Sequence, residues 1–117
     1  MSQQELVYLN GQLVPSNQAS IAIYDAAVVL GATLTDMERT FNHQIFKLEQ
    51  HIERFYRSCK FARIEPAESK KETQNIIEEL VKHNSQLLKP NQELGCIQFI
   101  SQVSLKHTPV LPVRTRK

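Results

Sequence analysis

Between Thr33 and Ala62 the hydrophobic pattern changes period once, and that change constrains the fold more than any other feature. Thr33 to Phe41 alternates loosely, as a strand does, and Asn42-His43 can turn it back into Gln44-Ile45-Phe46. Beyond that point Leu48, Ile52, Phe55, Cys59 and Ala62 recur at spacings of four and three, lining one face of a helix. Glu49, Glu53, Arg57 and Lys60 fall on the opposite side, and Pro66 is expected to end the pattern. A strand, a hairpin and an amphipathic helix in succession require a sheet layer packed against a helical layer.

The remaining segments fit the same plan. Leu6-Val7-Tyr8-Leu9 and Gln12-Leu13-Val14 flank Asn10-Gly11, the pair that favours a type I′ hairpin turn. Pro15 to Gln18 reads as a polar connection, Ser20 to Tyr24 as a short alternating strand, and Asp25 to Gly31 as a loop or single turn. Ser69 followed by Glu72 is a capping box that opens a second helix. Ile76, Ile77, Leu80 and Val81 form its apolar stripe, and His83-Asn84 closes it. Leu94 to Val103 is an apolar strand, whereas Ser104 to Lys117 holds two prolines, ends Arg114-Thr115-Arg116-Lys117 and reads as a disordered tail. The expected architecture is α+β: an antiparallel sheet with about two helices on one face.

At 117 residues the chain is one domain, and 41% hydrophobic against 22% charged residues is a globular composition that can bury a modest core. A net charge of +2 argues against nucleic acid as the main partner. No apolar run approaches membrane-spanning length, and Met1 to Glu5 lacks the basic and apolar regions of a signal peptide, so a cytoplasmic protein is expected. Cys59 and Cys96 read as small buried hydrophobes, not as a disulfide or a zinc site, and no metal is expected.

His51 and Arg54 stand one helical turn apart at the start of the first long helix, where a basic residue on the buried side can hold a phosphate. The alternative is a solvated Arg54 in an ion pair. Gln50, His51, Arg57 and Ser58 occupy the positions three and four away, so an acidic partner would have to come from elsewhere. His51 reads as a helix histidine that packs or bonds beside Arg54. Thr35, Met37 and Arg39 share one face of their strand; Arg39 can meet a substrate carboxylate there, or can pair with Asp36 or Glu38 nearby in space.

The ordered set Tyr8-Leu9-Asn10-Gly11, Asp25 with Gly31 behind it, Arg39-Thr40-Phe41, Phe46-Lys47-Leu48 and His51-Ile52-Glu53-Arg54 resembles the small N-terminal domain of class IV pyridoxal-phosphate aminotransferases. That family includes branched-chain and D-amino-acid aminotransferases and aminodeoxychorismate lyase. The resemblance is best from Leu6 to Ile64 and weaker onward to Val103, which implies a small domain over 1–103 and the start of an interdomain linker over 104–117. It implies that Arg54, in the H-x-x-R motif, binds the phosphate of pyridoxal 5′-phosphate and that Arg39 borders the substrate. Asp25 opens the family's Gly-rich turn and is expected to stabilise it; the aromatic that relatives carry there is missing from Ala26 to Ala32. Ser101-Gln102-Val103 likewise replaces the arginine or Thr-Pro-Gly turn of relatives, and Lys106 and His107 read as solvated loop.

The resemblance places the Schiff-base lysine in a second, larger domain, and Lys89, Lys106 and Lys117 do not sit in its context. No residue of these 117 is therefore assigned as catalytic. The expected activity of the parent is amino-group transfer from an amino acid, branched-chain by preference, to a 2-oxo acid. The chain alone is expected to be inactive and to bind the cofactor weakly or not at all. An exposed sheet face would favour self-association, and relatives are usually homodimers. Two other readings stand beside this one: a non-catalytic binding or dimerisation module, and the small domain of an aminodeoxychorismate-type lyase.

Overall fold

Asn10 and Gly11 both take left-handed backbone conformations, with φ of 51° and 88°, and this closes β1 (Leu6–Leu9) onto β2 (Gln12–Pro15) as the type I′ hairpin the Asn-Gly pair calls for. The computed structural model describes residues 4–101 and 110–116, with side chains over 4–100. A second hairpin joins β3 (Thr33–Phe41) to the two-residue β4 (Gln44–Ile45). Its turn residues Asn42 and His43 also have positive φ, uncommon for non-glycine residues. The buried Glu93 carboxylate holds that turn by accepting from both backbone N–H groups at 3.1 Å and from Thr40 Oγ1 at 2.7 Å.

All ladders are antiparallel, and six strands form a sheet in the order β2-β1-β6-β5-β3-β4, with β5 spanning Gln92–Ser101 and β6 Val110–Arg116. The stretch expected as a tail therefore supplies a central strand. Pro112 had argued against a strand there, since a proline cannot donate to a ladder. The ladder with β5 nevertheless runs through it, from Gln92↔Arg116 to Gln98↔Val110 with Cys96↔Pro112 in register, and Tyr8↔Val110 joins β6 to β1. Val103, Lys106, His107 and Lys117 lie outside the described residues.

Two long helices, α2 (Leu48–Phe61) and α3 (Lys70–Ser85), cover one face of the sheet, as the α+β expectation required; α1 (Ala26–Val29) is a single turn capped by Asp25, whose Oδ1 accepts from Ala27 N–H at 2.8 Å. The stripe of α2 is buried at Ile52, Phe55 and Cys59, and that of α3 at Ile77, Leu80 and Val81. They pack on Tyr8, Leu94, Cys96 and Ile100 of the sheet. The capping box of Ser69 and Glu72 forms as the sequence predicts. Helix α2 stops before Pro66: Arg63 turns left-handed, and Ile64 N–H bonds back to Cys59 O at 2.9 Å. Both cysteines are free and buried.

Asn84 on α3 ties the layers together by accepting from Leu6 N–H at 2.9 Å and donating to Leu6 O at 3.0 Å. Ser20 to Tyr24 is not a strand. Its alternation finds no neighbouring strand to pair with, Asp25 N–H closes a turn onto Ala22 O at 3.0 Å, and Ile23 and Tyr24 are each 83% exposed. Among the described residues no helix is long and apolar enough to cross a membrane.

Candidate functional site

Strand β3 alternates as expected, but the side it turns toward the helices is acidic: Asp36, Glu38 and Thr40 are buried there, while Thr35, Met37 and Phe41 are exposed on the other face. Helix α2 crosses this acidic side and brings Arg54 over Asp36. Arg54 Nε donates to Asp36 Oδ2 at 3.2 Å, and its Nη2 donates to Oδ1. This two-point fork is the geometry a guanidinium and a carboxylate favour. Asp36 Oδ1 also accepts from Met37 N–H at 2.8 Å, so the carboxylate is fixed on its strand before the helix meets it. The hydrogen bond from Asp36, and then its charge, raise the pKa of Arg54 further.

His51, one turn earlier, completes the cluster. Its Nδ1 lies 3.1 Å from Arg54 Nη2 and 3.4 Å from Asp36 Oδ1. The two contacts make opposite demands on Nδ1: the guanidinium, which only donates, calls for its lone pair, whereas Asp36 Oδ1 calls for a proton on it. Arg54 lies in the second turn of α2 and its side chain is 58% exposed against 5% for Asp36, so the buried-side, first-turn placement read from the sequence does not hold. The apolar stripe turns Ile52 and Phe55 inward, and Arg54 falls on the flank between them and solvent. Nη1 has no hydrogen bond among the described residues.

Glu38 lies deeper, 2% exposed, and accepts from Gln98 Nε2 of β5 at 2.7 Å. Burial, and secondarily the charge of Asp36, push its carboxyl up to about 8, so it is mostly neutral at pH 7. Arg39 projects from the opposite face and meets neither acid. Its Nε donates to Thr40 O at 3.2 Å and its guanidinium sits 4.2 Å from the centre of the Phe41 ring, a cation–π contact. A half-open groove of about 350 Å³ at the strand edge is lined by Met37, Glu38, Arg39, Phe46 and His51. It brings Arg39 and His51 to one depression but does not include Arg54. A larger groove of about 610 Å³ at the far end of α2, among Arg57, Lys60, Arg63 and Lys70, holds none of these groups.

Sequence reading singled out His51, Arg54 and Arg39 and missed Asp36 as the group that joins the first two. The signal was present: Arg54 has no acid within its own helix at pairing distance, and Asp36 and Glu38 stand on one face of the strand just before it.

The model of the family described as Amino-transferase class IV matches residues 33–102, which include every residue of this cluster. The D-alanine aminotransferase of Staphylococcus aureus (strain N315) is 30% identical over 94 residues, 80% of this chain and 31% of the relative. That of Staphylococcus haemolyticus is 27% identical over 79 residues, 68% of this chain and 28% of the relative. Among solved structures, the branched-chain aminotransferase from the thermophilic archaeon Thermoproteus uzoniensis, with norvaline, superposes with a TM-score of 0.71 at 22% identity, over 95% of this chain and 40% of that one. The chain belongs to the class IV aminotransferase family. It spans about a third or less of the length of these curated relatives.

Proposed function

We propose that this chain is the small domain of a pyridoxal-phosphate-dependent aminotransferase, in which Arg54 contacts the cofactor phosphate and Arg39 faces the substrate carboxylate. The observation that carries the reading is the Asp36–Arg54 fork, which holds the Nε and Nη2 edge of a guanidinium whose side chain is 58% exposed and leaves Nη1 without a hydrogen bond among the described residues. A phosphate dianion suits that donor. When bound, pyridoxal phosphate supplies the electron sink for moving an amino group. The part of this chain is to hold the phosphate end through Arg54, with His51 and Asp36 fixing its angle. The parent substrates are an amino acid and a 2-oxo acid. Met37 and Phe46, beside Arg39 in the groove, suit an aliphatic side chain, and a branched-chain amino acid is our reading. The buried free thiols of Cys59 and Cys96 accord with a reducing, cytoplasmic setting.

Acting alone, these 117 residues are proposed to be inactive. Asp36 already offsets the charge of Arg54, and one phosphate contact leaves the cofactor ring in water, which gives weak binding. Equilibrium dialysis against pyridoxal phosphate tests both halves of the reading. Weak retention that falls roughly tenfold or more in Arg54→Ala is expected. A coloured complex that survives dialysis overturns the inactivity of the isolated chain, and binding untouched by Arg54→Ala overturns the assignment of Arg54.

One observation favours a second reading, a binding or dimerisation module. Met37, Phe41 and Phe46 are about half exposed around the uncovered side of β3, and Ile23, Tyr24 and Leu30 are more exposed still. Sedimentation across a concentration series decides it: a homodimer is expected at high concentration, and a monomer throughout removes this reading. A lyase of the aminodeoxychorismate type shares the small domain, and product analysis of the full-length parent separates it from a transaminase.

A further inference from the structure

Glu38 Oε2 and Gln98 Oε1 are buried and have no hydrogen-bond partner. They belong to two side chains that are already joined, since Gln98 Nε2 donates to Glu38 Oε1 at 2.7 Å, and both residues are shut off from solvent. A buried acceptor left without a donor is costly, so two on one contact need a common explanation.

We propose that Glu38 keeps its proton at neutral pH and that the acid and the Gln98 amide form a neutral two-point clasp between β3 and β5. A carboxylic acid and a primary amide are complementary: the amide N–H donates to one acid oxygen while the acid O–H donates to the amide carbonyl. One proton on Glu38 Oε2 thus satisfies both orphaned oxygens. The ionised form would leave both oxygens buried with no donor between them.

The surroundings favour the neutral form. Asp36 shares the same face of β3 two residues away and is charged, held by the Arg54 fork. Arg54 spends Nε and Nη2 on Asp36 and is only a minor influence on Glu38. His51 of α2 lines the same groove as Glu38, and Arg39 reaches it from the opposite face. Across the ladder Glu38 faces Cys96, whose thiol burial pushes up to about 12, while Asp36 faces Gln98. The buried side chains of α3 are uncharged. Burial and the neighbouring Asp36 raise the Glu38 carboxyl from 4.5 to about 8. With Glu38 neutral, Arg54 serves one carboxylate instead of being shared between two. The clasp therefore isolates the Asp36–Arg54 fork, and it does so whatever ligand the fork serves.

The folded pKa lies above the unfolded one, so the folded state keeps a proton that the unfolded state loses. Stability from this group is full below the unfolded value of 4.5, falls as pH rises, and levels off above about 8. Urea unfolding of the 117-residue chain and of Glu38→Gln, from about pH 5 to about pH 8, tests this. Glu38→Gln can form the same ring with an amide in place of the acid, without a titrating proton. The unfolding constant of the wild type should climb by up to about tenfold per pH unit more than that of the variant. Parallel pH profiles overturn the proposal. The wild type alone provides a second readout, free of any folding defect in the variant: with ¹³C-labelled glutamate, the Glu38 carboxyl, assigned through its backbone, should titrate near 8. Titration of that carboxyl in the ordinary glutamate range overturns the clasp.

Discussion

The carboxylate of Asp36 accepts from both Nε and Nη2 of Arg54, so a buried strand residue sets the direction of a guanidinium that is itself more than half exposed. The pair is asymmetric: Asp36 needs Arg54 more than Arg54 needs Asp36. Removing the arginine leaves a carboxylate out of water with fewer donors, whereas removing the acid leaves a cation that water can solvate. Arg54→Ala should therefore lower the melting temperature by roughly a few degrees. Arg54→Lys should recover part of that loss, since it keeps the charge and loses the fork. Equal melting temperatures for the wild type and both variants in low salt would show that the fork does not stabilise the fold.

Asn84 is the second anchor between layers, and its amide both accepts from and donates to the backbone of Leu6. Asn84→Ala strands those groups and should cost about 1–3 kcal/mol in urea unfolding. Asn84→Asp should cost more at neutral pH, because a carboxylate cannot donate to Leu6 O. It should regain stability as pH falls through the raised pKa of that buried acid, with the recovery complete near the unfolded value of about 4. A pH-independent loss in Asn84→Asp would argue against the bond from Asn84 to that carbonyl.

Phe55 and Phe61 lie on the same helix, and burial alone separates them. Phe55 is 1% exposed under Ile100, and Phe55→Ala should cost about 3–5 kcal/mol. Phe61 is 93% exposed, and Phe61→Ser should change stability by less than about 0.5 kcal/mol. Similar losses at both positions, measured in one denaturant series, would mean that α2 is rotated from the face assigned to it or that Phe61 packs in an assembly.

Tyr8 donates to Glu68 Oε2 at 2.7 Å, and burial, then that hydrogen bond and the charge of Glu68, hold its hydroxyl well above the usual 10.0. The folded state keeps the Tyr8 proton while the unfolded state loses it, so stability from this group begins to fall as pH rises through about 10. Alkaline unfolding followed by circular dichroism should show a steeper pH dependence in the wild type than in Tyr8→Phe. Identical slopes would remove Tyr8 from the cause of alkaline unfolding.

Local chemistry made much of the fold legible in the sequence. The Asn10-Gly11 turn, the boundaries of β3, the stripe of α2 and the Ser69 capping box follow from residues within a few positions of one another. Two readings did not survive. Ser20 to Tyr24 has the alternation of a strand and no partner strand, and Val110 to Arg116 has a proline and is a strand. In each case the deciding quantity is whether a ladder neighbour is there to pair with, which the residues of the segment itself do not carry.

The candidate site divides along the same line. Residue type and spacing alone determined that His51 and Arg54 share a helix and that Arg39 shares a strand face with Thr35 and Met37, while pairing of Arg39 with Asp36 or Glu38 stayed open until the structure removed it. Only the tertiary structure decided that Asp36 holds Arg54 across an 18-residue separation, that Glu38 meets Gln98 across 60, and that the Glu38 carboxyl is driven toward neutrality. Helical and strand periods are properties of the local backbone. Charge pairing and desolvation depend on which surfaces the packed layers bring together and close to water.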